Sequence, residues 1–135
     1  MMRSMASEPR EGRVRIPIRW RDLDLLGHVN QSVYHELLEE GRGALFGQLG
    51  DDAFPFVLVH VEIDYRNEVR RDHGAIEVVS RVGRVGTKSL TIEERIELPD
   101  GTVAAEGSSV LVAWDPETRT SRELSGRERE ALGVA

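Results

Sequence analysis

Apolar and polar positions alternate along Val14-Arg15-Ile16-Pro17-Ile18-Arg19-Trp20-Arg21, which predicts a strand. Pro17 lacks a backbone donor and pushes that strand toward a sheet edge or a bulge. A polar loop from Asp22 to Asn30 follows, and then the period changes. Val33, Leu37, Leu38, Ala44, Leu45 and Leu49 recur at helical spacing, so one amphipathic helix is expected over Gln31 to Leu49, capped by Asn30 or Ser32. Gly41, Gly43 and Gly47 each weaken it by up to about 1 kcal/mol relative to alanine. A helix that carries them is held by tertiary contacts, with its backbone close to a neighbour.

Gly50 to Pro55 breaks the pattern, and four strands follow. In the first, Val57, Val59, Val61, Ile63 and Tyr65 share one face; Leu58, His60, Glu62, Asp64 and Arg66 share the other. The next two are expected over Ala75 to Val85 and Lys88 to Leu98, joined by the tight turn Val85-Gly86-Thr87. Pro99-Asp100-Gly101 is a stronger hairpin signal and leads to a last strand over Val103 to Trp114. A short terminal helix is expected over Ser125 to Leu132.

Strands joined by short connections are antiparallel, and a single long helix cannot supply the crossovers of a parallel sheet. The expected class is α+β: a five-stranded antiparallel sheet covered on one face by one helix. Its other face still carries Val79, Val85, Val110 and Val112. These are partly solvated or covered by a second copy, and exposed edges invite pairing, so a homodimer or homotetramer is expected.

A chain of 135 residues is one domain, expected over residues 13–135 after a disordered or frayed tail at 1–12. By area scaling it buries about two-thirds of its unfolded surface, enough for a core. Eighteen basic against 24 acidic residues leave a net charge of −6, which opposes nonspecific grip on nucleic acid. No cysteine is present, which excludes a disulfide scaffold, a thiolate metal site and a cysteine nucleophile. The longest apolar runs fall far short of the roughly 20 residues of a membrane span. The first 13 residues lack the apolar stretch of a signal peptide, so the cytoplasm is the expected location and no membrane partner is expected.

The densest polar cluster is Asp22-Leu23-Asp24-Leu25-Leu26-Gly27-His28-Val29-Asn30, directly before the long helix. First-turn amides of a helix are unpaired and partially positive, and can hold the oxyanion formed when a carbonyl is attacked. A carboxylate in the adjoining loop can serve as general base on water or as nucleophile. Gly27 lets backbone approach a ligand closely. The same aspartates are equally ordinary turn and capping residues, and Asp22, Asp24 and His28 could also clasp a divalent ion.

Arg19-Trp20-Arg21-Asp22-Leu23-Asp24-Leu25-Leu26-Gly27-His28-Val29-Asn30-Gln31-Ser32-Val33-Tyr34, with Leu38-Glu39-Glu40-Gly41-Arg42 on the helix, resembles the 4-hydroxybenzoyl-CoA thioesterase-like group of the hotdog superfamily. Val61 to Tyr65 and Val85 to Ser89 resemble its later strand regions, and the likeness spans about Arg13 to Leu124. The resemblance implies a hotdog fold in which the sheet wraps the helix, and an active site between two subunits. It implies hydrolysis of an acyl thioester of coenzyme A or of acyl carrier protein, with no cofactor and no metal. The family's catalytic carboxylate falls on Asp24 and its carbonyl-polarising amide on Gln31. Gly27, His28, Val29, Asn30 and Tyr34 would line the substrate. Gln31 stands where close relatives often carry asparagine. Leu25, Leu26 and Val29 stand where the hydroxybenzoyl subgroup has aromatic residues, so the acyl group is expected to be aliphatic or is left undetermined.

Outside the loop, His60 is a candidate pocket residue on the polar face of its strand. Arg70, Arg71, Arg84 and Lys88 are candidate clamps for the phosphates of coenzyme A, because arginine matches phosphate geometry. Glu39 or Glu40 could face a subunit interface, and each is also an ordinary solvated acid. Asp22 is expected to bond loop amides, and Trp20 and Trp114 to lie in the core or an interface. A non-catalytic acyl-CoA binder remains the alternative to an enzyme, since fold does not decide function.

Overall fold

The computed structural model describes residues 10–50 and 55–134. Strand β1 (Glu11–Pro17) leads through a 3-10 turn at Trp20–Asp22 to helix α1 (Gln31–Leu49). Strands β2 (Phe56–Tyr65), β3 (Ala75–Val85), β4 (Ser89–Glu97) and β5 (Val103–Asp115) follow, then the two-residue β6 (Thr120–Ser121) and helix α2 (Gly126–Ala131). The sheet order is β1-β3-β4-β5-β2, with β6 on the end of β5, and every pairing is antiparallel. One curled sheet packs α1 against β1, β3 and β4, which is the hotdog arrangement the resemblance implies. Residues 1–9 of the expected tail lie outside the described residues.

Several boundaries differ from the sequence reading for local reasons. The first strand begins at Glu11 rather than Val14, because Glu11 and Gly12 pair with Arg81 and Ser80 of β3. It ends at Pro17, opposite Ala75, the first residue of β3, so the chain beyond has no partner strand and tightens into the 3-10 turn. A sixth strand exists because the turn after Asp115 folds Thr120 and Ser121 back onto Asp115 and Trp114.

In β2 the register against β5 shifts between Leu58 and His60. The extra residue of a bulge inverts the alternation. Leu58 therefore pairs with Leu111 and shares a face with Phe56, Val61 and Ile63, whereas Val57 pairs with Val112 beside His60 and Glu62. A strict two-residue period across Val57–Arg66 assigns Leu58 and Val57 to the wrong faces.

The core has two parts. Tyr34, Leu37, Leu38, Val69, Ile76, Val78 and Ile96 pack around the start of α1, and Leu45, Val82, Leu90, Ile92, Leu111 and Leu132 around its end. The expected close approach occurs at Gly41, where a Cβ would lie 2.4 Å from Val78 Cγ1; Gly43 and Gly47 face open space. On the outer face Val79 is buried, not solvated, and stands in register between Arg13 of β1 and Arg95 of β4. Val85 does not lie on that face: the register against β4 shifts between Val82 and Val85, which turns Val85 onto the core beside Leu90, while Val110 and Val112 are half-buried. Trp20 is largely exposed and does not belong to the core.

Candidate active site

The loop before α1 is a pinched hairpin. Leu23 and Val29 form an antiparallel bridge, Asp24 N donates to His28 O at 3.0 Å, and Gly27 N donates to Asp24 O at 3.1 Å. Gly27 takes φ +83°, a conformation that glycine adopts without strain. The Asp22 carboxylate is buried and accepts from Arg19 N and Nε at 3.0 and 3.1 Å, so it closes the 3-10 turn back on Arg19 rather than bonding the amides of the loop that follows. Among the described residues no group of three His, Asp or Glu is placed to hold a metal ion.

Asp24 does two things at once. Its Oδ1 accepts from Leu26 N at 2.9 Å, an ordinary turn contact, while its Oδ2 lies 3.3 Å from His28 Nε2. About a quarter of the side chain remains exposed, and a carboxylate has lone pairs beyond these two contacts. It lines an open cleft of about 860 Å³ together with Trp20, Leu25, Leu26, Asn30 and Arg71. Leu25 and Leu26 are almost fully exposed there, and the Arg71 guanidinium sits 4.8 Å over the Trp20 ring.

Asn30 caps α1. Its Oδ1 accepts from Ser32 N at 2.9 Å, and its carbonyl accepts from Val33 N at 2.9 Å. The cap thus occupies two first-turn amides and leaves that of Gln31 as the donor that can face a ligand. Gln31 lines a second, smaller cleft of about 290 Å³ with His28, Tyr34, Tyr65 and Glu68. Tyr34 is buried and meets Tyr65 edge-on, with ring centroids 5.0 Å apart. Burial pushes its phenol above the usual value, the nearby Tyr65 adds to this, and a backbone hydrogen bond with Val69 opposes it.

The fold therefore gathers Asp24, Gly27, His28, Val29, Asn30, Gln31 and Tyr34 at one end of the sheet. It spreads Asp24 and Gln31 over two adjoining clefts, with the His28 ring between them. Arg84 and Lys88 lie at the other end of β3, about 30 Å away by strand rise. His60 is exposed on the outer face of β2, 3.9 Å from Glu62. Arg70 pairs with Asp72 at 3.0 Å. Glu39 and Glu40 are solvated.

Sequence reasoning passed over Glu68, whose Oε1 lies 3.3 Å from His28 Nδ1. Nothing in the spacing of positions 28 and 68 signals this contact. It exists because His28 and Arg70 form a backbone bridge and Val29 N donates to Val69 O at 2.7 Å, laying the segment after β2 beside the loop.

A curled antiparallel sheet around one long helix is the hotdog fold. The chain belongs to the thioesterase-like superfamily, whose family pattern matches residues 18–132. It is 31% identical over 126 residues to the long-chain acyl-CoA thioesterase FadM of Escherichia coli, covering 87% of this chain and 93% of that protein. A thioesterase from Thermus thermophilus, solved with coenzyme A and zinc, superposes with a TM-score of 0.82 at 31% identity over 90% of each chain. A 4-hydroxybenzoyl-CoA thioesterase variant bound to 4-hydroxybenzoyl-CoA shares the fold at 15% identity, with a TM-score of 0.82 over 91% of this chain and 99% of that one.

Proposed function

We propose that the chain hydrolyses acyl-CoA thioesters, with Asp24 as general base or nucleophile and the Gln31 amide as the group that polarises the carbonyl. The observation that carries this reading is the Asp24 carboxylate on the wall of an apolar cleft beside the first turn of α1. In the base form of the reaction, Asp24 takes a proton from water as the water oxygen bonds to the thioester carbon. The oxyanion faces the helix amide, the C–S bond breaks, and coenzyme A leaves as a thiolate that is then protonated. In the nucleophile form Asp24 bonds to the acyl carbon first, and water cleaves the anhydride. Leu23, Leu25 and Leu26 suit an aliphatic acyl chain, in line with the long-chain substrates named for FadM.

We propose that the chain also assembles with copies of itself. The edge strand β2 exposes Leu58, Val59 and Tyr65, a surface that a second copy would cover in a homodimer or homotetramer. His60, Arg84 and Lys88, remote within one chain, then become candidate contributions from the partner to the coenzyme. The proposed place of action is the cytoplasm, which a cysteine-free chain suits.

The test is a panel of acyl-CoA esters with a thiol-detecting dye, run on wild type and Asp24→Asn. Turnover should drop at least about 10²-fold in the variant, the scale of a positioned acid–base group. Equal rates in the two proteins refute the role of Asp24. Tight binding of a non-hydrolysable CoA thioether without turnover of any ester favours a non-catalytic binder, and turnover of acyl carrier protein esters alone moves the substrate to the carrier protein.

A further inference from the structure

We infer that Glu68 is a positioning residue for catalysis, which orients the His28 ring so that its Nε2 can take and return the proton handled by Asp24. This rests on the thioesterase reading and deepens it.

The geometry is an array of alternating groups across the two clefts. His28 lies between two carboxylates, with Nδ1 3.3 Å from Glu68 Oε1 and Nε2 3.3 Å from Asp24 Oδ2. An ionised carboxylate only accepts hydrogen bonds, so the Glu68 contact requires a proton on Nδ1. A neutral ring held in that tautomer turns a lone pair toward Asp24. Two acceptors then face each other, a contact that becomes favourable only when a proton lies between them. Hydrolysis supplies that proton.

Glu68 is itself held. Its second oxygen lies 3.7 Å from Arg70 Nη1, and Arg70 Nε donates to Asp72 at 3.0 Å. The backbone bridge between His28 and Arg70 sets the distance between the two segments, so the contact does not depend on side-chain reach alone. The logic is that of a catalytic triad, in which an acid fixes the tautomer and direction of an imidazole without taking the proton itself.

The step balances. As the water oxygen bonds to the thioester carbon, one water proton passes to Asp24 and on to His28 Nε2. When the C–S bond breaks, the electron pair stays on sulfur, and the proton on Nε2 passes to that thiolate. The acid product loses its own proton to solvent. Histidine and aspartate return to their starting forms, and Glu68 neither gains nor loses a proton in the sequence.

The experiment is a double-mutant cycle on the full chain, with kcat and KM measured for one acyl-CoA ester in wild type, Glu68→Ala, His28→Ala and the double variant. The Nδ1 and Nε2 shifts of His28 are read by ¹⁵N NMR in wild type and Glu68→Ala. Glu68→Ala should lower kcat about tenfold with KM within twofold, and should cost less than twofold in the His28→Ala background. Glu68→Gln, which keeps an acceptor, should recover part of the loss. The ring proton should sit on Nδ1 in wild type and move toward Nε2 in Glu68→Ala. An unchanged kcat, an equal loss in both backgrounds, or an Nε2-protonated ring in wild type overturns the assignment. If wild type hydrolyses no thioester, the thioesterase reading fails and the catalytic use of Glu68 fails with it; the ring shifts then still decide whether Glu68 orients His28.

Discussion

Arg42 Nη1 donates to Glu94 Oε2 at 2.7 Å from the middle of α1, and both side chains are buried. Ser109 of β5 closes the group, accepting from Arg42 at 2.9 Å and donating to Glu94 at 2.5 Å. Helix, β4 and β5 are thus joined by one polar cluster under the sheet. Arg42→Met leaves the Glu94 carboxylate buried without its cation, and the expected cost is about 3–5 kcal/mol, read from urea unfolding near neutral pH. Burial pushes Glu94 above the usual glutamate value, while Ser109 and Arg42 pull it back. A folded-state value above the unfolded one gives stability that is present below the ordinary value of 4.5 and is lost as pH rises through the folded value. Removing Arg42 widens that gap. The deficit of Arg42→Met should therefore be smallest in acid and grow toward neutral pH; a deficit constant with pH contradicts the buried-charge account.

A Cβ built on Gly107 would lie 1.9 Å from Glu62 O and 2.8 Å from Glu62 C. Both obstacles are backbone, so β2 must move away from β5 to admit a methyl group. Gly107→Ala should cost at least about 2 kcal/mol, as overpacking does where nothing can yield. Gly43→Ala provides the contrast, since nothing lies within 4 Å of its Cβ and it sits inside α1. That change should stabilise by up to about 1 kcal/mol. Thermal melts of the two variants should move in opposite directions.

Leu26 is largely exposed at the mouth of the Asp24 cleft. Leu26→Ser should leave stability within about 0.5 kcal/mol, because no core contact is lost. If an acyl chain covers this side chain, KM for a long-chain acyl-CoA should rise roughly tenfold, the scale of the apolar burial forfeited. KM for acetyl-CoA should hardly change. An equal change for both esters shows that the chain does not lie over Leu26.

Much of this molecule was legible in the order of its residues. The limits of α1 and β3 follow from periodicity and turn chemistry, because Asn30 caps one end of the helix and Gly50 and Pro55 end its pattern. The loop at Asp24 was legible from its polar density and its place before the helix. Local rules reach this far because capping, alternation and turn formation involve residues a few positions apart. The tertiary structure alone decided which face Leu58 takes, since a bulge is a relation between two strands. It alone brought Glu68 to His28 across forty positions and buried Arg42 with Glu94 across fifty-two. Those contacts are set by how strands lie side by side, and pairing between distant segments leaves no mark in the spacing of either one.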